Sequence, residues 1–168
     1  MTARSEGKAF ALTRVLHASR ELVFKAWSEA EHLKQWWGPR GFEIRVAQFD
    51  FRPGGCFHYS MEAPGCDRMW GKFVYLEIEA SEKIVWLNSF SDAAGNIVRA
   101  PFGELIPLEI RNEVTFSEHN GVTTMALRSE PFRATTEERT FFEGMFESMQ
   151  QGFGGTFDQL ETYLKDLS

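Results

Sequence analysis

The chain has 168 residues, with 18 basic and 24 acidic side chains that give a net charge of −6 at pH 7. This acidic balance argues against nucleic acid or an anionic membrane as a partner. No stretch approaches the ~20 apolar residues of a membrane-spanning helix, and we recognise no signal segment, so we expect a cytoplasmic protein without membrane insertion. The length fits one domain covering residues 1–168. The unusual feature is an aromatic content of 14%, including 16 Phe and 5 Trp.

The beginning of the chain predicts one strand followed by two short helices. The strand covers residues 10–17. Ser19 then has the side chain of a helix N-cap, and the apolar residues after it recur at helical spacing. The second helix covers residues 31–37 and is stopped by Gly38 and Pro39.

From Phe42 onward, apolar and polar residues alternate with a period of two, which predicts half-buried strands separated by tight turns. The predicted strands cover residues 42–51, 56–61, 70–78, 84–90, 108–116 and 122–129. Lys72 falls on an otherwise apolar face of its strand. Residues 92–107 have no clear period and predict a long loop, of the kind that often forms a lid or a binding element.

The last part of the chain, residues 134–167, predicts one long amphipathic helix with a wide apolar face. The apolar stripe is formed by Phe142, Phe146, Met149, Phe153, Leu160 and Leu164. Glycines 144, 152, 154 and 155 interrupt the pattern, and each costs a helix interior about 0.5–1 kcal/mol relative to alanine. They indicate either a kink between two helices or a close approach of the helix backbone to the sheet or to a ligand.

This order of elements predicts an α+β fold, in which an antiparallel sheet buries one face against the long helix. If the sheet curls round the helix, the aromatic side chains need not fill the space between them, and a pocket results.

No motif singles out a catalytic or metal site. We find neither Cys-x-x-Cys spacing nor a phosphate-binding loop, and the histidines fall on four different predicted elements, at His17, His32, His58 and His119. We therefore expect no metal and no cofactor. Cys56 and Cys66 lie ~20 Å apart along a predicted hairpin, too far for a disulfide, and are expected to be free thiols.

Several longer strings resemble one bacterial family. They are LTR at residues 12–14, ASRELVFKAW at 18–27, EHLKQWWGP at 31–39, FRPGG at 51–55 and QGFGGTFDQL at 151–160. Together they resemble bacterial homologues of the C-terminal domain of the heat-shock-protein-90 ATPase activator, within the START-like (SRPBCC) superfamily.

The resemblance implies the helix-grip fold, with a curved antiparallel sheet of about six to seven strands around a long C-terminal helix and a cavity between them. It also implies two short helices after the first strand. It implies no particular reaction, because the superfamily includes lipid and hormone carriers, aromatase/cyclases and co-chaperone domains.

The leading functional hypothesis is the binding of a small apolar or aromatic molecule in the cavity between sheet and helix. Its basis is the aromatic content together with the lack of a recognisable catalytic set. The candidate ligand-binding residues are Trp36, Phe57, His58, Tyr59, Trp70, Lys72, Trp86, Phe90, Phe142, Met145, Phe146 and Met149. For any single aromatic member, packing in the core is the simpler interpretation.

Two alternatives belong to other functional classes. One is a cyclase- or dehydratase-like enzyme in which one or two polar residues move protons inside the cavity, with His58, Tyr59, Lys72 or a helix carboxylate such as Glu143 or Glu147 as candidates. The other is a chaperone-associated interaction module, which needs an exposed apolar patch. No chaperone partner is expected, because we recognise no chaperone-binding N-terminal domain, and a symmetric homodimer is the default expectation for assembly.

Overall fold

The computed structural model describes residues 8–101 and 103–167. Its elements follow the predicted order. They are β1 (Phe10–Leu16), α1 (Arg20–Ser28), α2 (Ala30–Trp36), β2 (Glu43–Phe49), β3 (Cys56–Glu62), β4 (Met69–Glu79), β5 (Lys83–Ser91), β6 (Ile97–Val98), β7 (Glu109–His119), β8 (Val122–Phe132), α3 (Thr136–Glu143) and α4 (Phe146–Leu167).

The strands of the described ranges form one antiparallel sheet in the order β1-β8-β7-β5-β4-β3-β2. The short strand β6 pairs with β5 beside this path and lies in the segment predicted to be a loop. With its short helices after β1 and its helix at the C-terminal end, this is the helix-grip fold expected from the sequence. None of the described helices combines the length and the apolar character that crossing a membrane would require.

The face of β4 that packs against the helices is not the one suggested by its pattern. Phe73 and Tyr75 are buried in the core, so Trp70 and Lys72 lie on the outer face of the sheet. The register of β4 against β5 shifts by one residue just after Tyr75, and this bulge returns Ile78 to the core side. The strand itself was predicted, but apolar residues on both faces concealed its orientation.

The C-terminal segment predicted as one helix is two helices, because the chain turns at Gly144 and Met145 between α3 and α4. A capping box starts α3. The Thr135 side chain accepts a hydrogen bond from the Glu138 amide, and the Glu138 carboxylate accepts one from the Thr135 amide. The kink interpretation is therefore confirmed at Gly144.

The other three glycines, Gly152, Gly154 and Gly155, lie within the continuous helix α4. A Cβ atom placed on any of them meets no atom within 4 Å outside the helix's own backbone and chain neighbours. The expectation that they allow the helix backbone to approach the sheet is therefore wrong, since open space lies beside them.

Aromatic rings fill the centre of the core between the sheet and the helices. The Trp27 ring centroid lies 4.8 Å from that of Trp36 and 5.4 Å from that of Trp86. Trp36 is further fixed by its indole Nε1, which donates to the Ala26 carbonyl at 3.1 Å. Much of the aromatic content thus serves packing. Cys56 and Cys66 are free thiols, as predicted.

Candidate functional site: a pocket beside helix α4

A pocket of about 430 Å³ lies between the inner face of the sheet and the first half of α4. Residues of β3, β4, β5 and β7 form one wall, and residues 149–156 of α4 form the opposite wall. The segments 37–40 and 106–107 contribute the edges. Arg40 and Gln151 line the pocket and are exposed, so they mark its mouth.

The sheet wall contains a tyrosine ring packed closely against a glycine. Tyr59 on β3 pairs with Gly71 on β4, and a Cβ atom on Gly71 would lie 2.5 Å from Cζ of the ring. Burial raises the pKa of Tyr59 to about 12, although its hydroxyl accepts a hydrogen bond from the Trp37 indole, which acts in the opposite direction. The tyrosine is therefore a neutral phenol at physiological pH.

Strand β5 brings one side-chain amide into this wall. Asn88 alternates with Trp86 and Phe90, so it faces inward, and its Cα partners are Phe73 on β4 and Ile110 on β7. Its Oδ1 atom is buried and has no hydrogen-bond partner in the described part of the chain. A buried acceptor left unpaired costs about 1–3 kcal/mol.

The helix wall is open because two side chains are missing from it. Gly152 and Gly155 are three residues apart on α4, so they share a face, and both line the pocket. Gly154 has equally open surroundings but does not line the pocket. The absent side chains at 152 and 155 thus contribute part of the pocket's space.

One edge of the pocket is tied directly to α4. The Thr156 hydroxyl donates to the Gly38 carbonyl at 3.1 Å. The Gln159 side-chain amide donates to the same carbonyl at 2.9 Å and to the Trp36 carbonyl at 3.1 Å. These bonds satisfy carbonyls at the end of α2 and fix the position of Trp37 in the pocket wall.

The other edge is tied to α3 through Arg99. Its Nη1 donates to the Ile106 carbonyl at 3.2 Å and forms an ion pair with Glu138. Ile106 and Pro107 line the pocket, so the first turn of α3 helps to hold this wall in place.

Of the twelve residues proposed from the sequence, the structure brings three to the pocket: Tyr59, Phe90 and Met149. That these three bind a ligand stays a prediction. Trp36, Phe57, Trp86 and Phe142 are at most 1% exposed and fill the core instead. Phe146 packs against Phe10 and Phe142, and Met145 lies in the turn before α4. The structure does not place these six residues in the pocket wall.

The remaining three proposed residues lie on the opposite face of the sheet. His58 sits between the inward-facing Phe57 and Tyr59, so its ring points outward and stacks on Trp70 with centroids 5.0 Å apart. His58 Nε2 lies 3.1 Å from the Asp92 carbonyl O, and Lys72 Nζ donates to the Gly95 carbonyl at 3.0 Å. They support the turn at residues 92–96 and are outside the candidate site.

Sequence reasoning missed Asn88, although the signal was present. Asn88 is the polar member of an inward series with Ile84, Trp86 and Phe90, and period-two alternation alone places it among them. Ile106 had no comparable signal, because it lies in a segment without periodicity. Among the described residues, no three His, Cys, Asp or Glu side chains are grouped as metal ligands would be.

Residues 17–165 match the sequence profile of the family described as Activator of Hsp90 ATPase homolog 1-like protein. The chain belongs to this family. The match confirms the resemblance inferred from the strings at residues 18–27, 31–39 and 151–160, which are spread across the matched region. No curated protein matches the chain.

Solved structures of bacterial proteins share the fold. A protein from Arthrobacter aurescens is 25% identical with a TM-score of 0.79, covering 96% of this chain and 88% of its own. Protein NE0264 from Nitrosomonas europaea is 23% identical with a TM-score of 0.74, covering 100% of both chains. Protein Ms6760 from Mycobacterium smegmatis is 21% identical with a TM-score of 0.76, covering 95% of this chain and 92% of its own.

Proposed function

We propose that the protein binds one small, mostly apolar or aromatic molecule in the pocket beside α4. The observation that carries the proposal is the pocket itself, whose volume of about 430 Å³ lies in the range of about 300–1,000 Å³ typical of small-molecule sites. Tyr59, Phe90 and Met149 offer an apolar surface from both walls, while Asn88 supplies a polar group between them.

Binding is better supported than the cyclase or dehydratase alternative. That alternative had its best support in His58 and Lys72, which lie on the outer face of the sheet. Among the described lining residues, the side chains that titrate are Tyr59 and Arg40. Neither is a general base near neutral pH, because the pKa of Tyr59 is about 12 and arginine stays protonated.

The proposal can be tested by filling the pocket from the helix side. Leucine at Gly152 projects into the pocket, whereas leucine at Gly154 does not, so Gly154→Leu is a matched control. Both changes replace a helical glycine by a good helix former, worth about 0.5–1 kcal/mol of added helix propensity. A loss of binding in Gly152→Leu therefore cannot be attributed to a weaker helix.

We expect 2-methylnaphthalene to bind the unchanged protein and to shift the backbone amide NMR signals of residues around the pocket. Gly152→Leu should weaken binding by at least about tenfold, as expected when contacts worth ~1.4 kcal/mol or more are lost, and Gly154→Leu should leave it unchanged. Equal binding by both variants would refute the location. Failure of the hydrocarbon to bind, together with native mass spectra of the protein from its own host showing no bound molecule, would refute ligand binding.

A further inference from the structure

We infer that the ligand carries a neutral hydroxyl group, which hydrogen-bonds to the side-chain amide of Asn88. The ligand class is therefore a small aromatic alcohol or phenol rather than a pure hydrocarbon or an acid. This inference rests on the proposed ligand binding and specifies what the pocket selects.

The amide of Asn88 is surrounded by aromatic and apolar side chains. Asn88 lies in the interior of the sheet, where its strand partners are Phe73 and Ile110 and its inward neighbours along β5 are Trp86 and Phe90. These side chains offer the amide no hydrogen-bonding group other than the Trp86 indole N–H, which is itself buried without a partner. An apolar side chain of similar shape would avoid the cost of the unpaired Oδ1 atom.

Several other described residues also have a buried polar atom without a hydrogen-bond partner. Trp27 Nε1, Trp86 Nε1 and the Tyr75 hydroxyl have none in the described ranges, and neither do Ser91 Oγ and Arg128 Nε. The three aromatic groups belong to large rings that fill the core, and their apolar area explains their presence. Ser91 and Arg128 do not line the pocket. Of the described residues with such an atom, Asn88 is the one that lines the pocket. A bound molecule can therefore supply the hydrogen bond that the protein lacks.

The side-chain amide of Asn88 has both an acceptor and a donor edge. Rotating the Asn88 amide by half a turn exchanges its acceptor oxygen and its donor nitrogen while keeping its shape. A hydroxyl both donates and accepts, so it pairs with either edge, whereas an ether or a ketone pairs with the nitrogen alone. A hydroxyl thus satisfies the unpaired oxygen that an ether would leave unsatisfied.

The position beside Asn88 does not suit a charged ligand group. Burying an ion is costly unless it is paired with an opposite charge. The cation among the described lining residues is Arg40, whose side chain is 72% exposed and lies 3.9 Å from Asp158. A carboxylate beside Asn88 would therefore be buried without a counter-ion in the wall around it.

The test uses two probes of nearly the same shape, 2-naphthol and 2-methylnaphthalene, which differ by a hydroxyl in place of a methyl group. Their dissociation constants are measured by calorimetry or by NMR for the unchanged protein and for Asn88→Leu. We expect Asn88→Leu to lower the affinity for 2-naphthol by about 10- to 100-fold, because the hydroxyl loses a hydrogen bond and is still desolvated. The affinity for 2-methylnaphthalene should change by less than about threefold.

A structural role for Asn88 predicts a different pattern. If the amide only supports the fold, Asn88→Leu lowers the affinity for both probes equally and also lowers the urea concentration at the midpoint of unfolding. Under our inference the midpoint stays the same or rises, because an unpaired buried atom has been removed. Asn88→Ala provides a second variant without the added bulk of leucine.

The outcomes separate this inference from the proposal on which it rests. If 2-methylnaphthalene binds and the two probes respond alike to Asn88→Leu, the hydroxyl inference is wrong and ligand binding stands. If neither probe binds the unchanged protein and native mass spectra of the protein from its own host show no bound molecule, both are wrong. If neither probe binds but a molecule without a hydroxyl group is found bound in those spectra, the hydroxyl inference alone is wrong.

Discussion

Replacing Gly71 with alanine places a methyl group in the space occupied by the Tyr59 ring. The added Cβ atom lies 2.5 Å from both Cζ and Oη of the ring and 2.9 Å from Cε2. Packed carbon atoms are separated by about 3.5–4.0 Å, so the ring must move by roughly 1 Å. The ring stacks on Phe57 at 4.5 Å and contacts the edge of Phe73 at 5.8 Å, which leaves the pocket as the space it can enter.

From the usual cost of overpacked cores, we expect Gly71→Ala to lower the free energy of unfolding by about 1–3 kcal/mol. Urea denaturation followed by circular dichroism measures this change. Because the displaced ring enters the pocket, the affinity for 2-methylnaphthalene should fall as well.

A double-mutant cycle tests the reasoning. In a Tyr59→Leu background the ring atoms that clash with alanine are absent, so Gly71→Ala should be neutral or stabilising by up to about 0.5–1 kcal/mol. Gly154→Ala, at a position of α4 with open space beside it that does not line the pocket, controls for the general effect of replacing glycine. If Gly71→Ala costs the same in both backgrounds, within about 0.5 kcal/mol, the contact with Tyr59 is not the cause and the reasoning fails.

Three further predictions concern the support of the pocket wall and its surroundings. Thr135→Ala removes the cap of α3 and should lower the free energy of unfolding by about 1 kcal/mol in urea denaturation, whereas Thr136→Ala should change it little. The Thr135 amide and then Arg99 hold the pKa of Glu138 below its ordinary value. The ionised Glu138 carboxylate therefore stabilises the folded protein. This stabilisation is fully present above the pKa of about 4.3 that the carboxyl has in the unfolded chain, and it is lost as the pH falls through the lower pKa of the folded protein. Glu138→Gln should therefore reduce the loss of stability between about pH 5 and pH 3 in thermal unfolding, and an unchanged slope would contradict this role. Lys72→Met, on the outer face, should leave the affinity for 2-methylnaphthalene unchanged, and a change beyond about threefold would contradict its placement outside the pocket.

The order of elements was predictable because each boundary has a local physical cause. Ser19 caps α1 as expected, since its hydroxyl accepts from the Leu22 amide at 3.2 Å. The alternation from Phe42 onward located the strands in the same way. The pattern could not identify the inward face of β4, because both of its faces carry apolar residues. A one-residue bulge also exchanges which residues face inward part-way along the strand.

The site was less predictable than the fold. Alternation tells which side of a strand a residue faces, but it does not tell whether the space in front of that residue is filled. Phe57 and Tyr59 are neighbours on one face of β3, yet Tyr59 lines the pocket and Phe57 lies in the closed core. The difference depends on what the helix presents opposite them, including the empty positions at Gly152 and Gly155. The ion pair between Arg99 and Glu138 is likewise set by tertiary contacts and has no local pattern.

The pairing of β1 with β8 has a consequence for synthesis of the chain. Phe10 pairs with Ser129 and Leu16 with Thr123, and β8 is the neighbour of β1 in the sheet. At about 5–20 residues per second, translation reaches β8 on the order of 5–20 s after β1 has been made. Until β8 is available, the backbone donors and acceptors of β1 lack the strand with which they pair in the folded sheet, and unpaired strand edges are the groups through which chains can associate. The Arg14 guanidinium donates a hydrogen bond to the Asp158 carboxylate at 2.8 Å, and this partner on α4 is synthesised later than β8. The first strand of the sheet is therefore completed only when the last strand has been made.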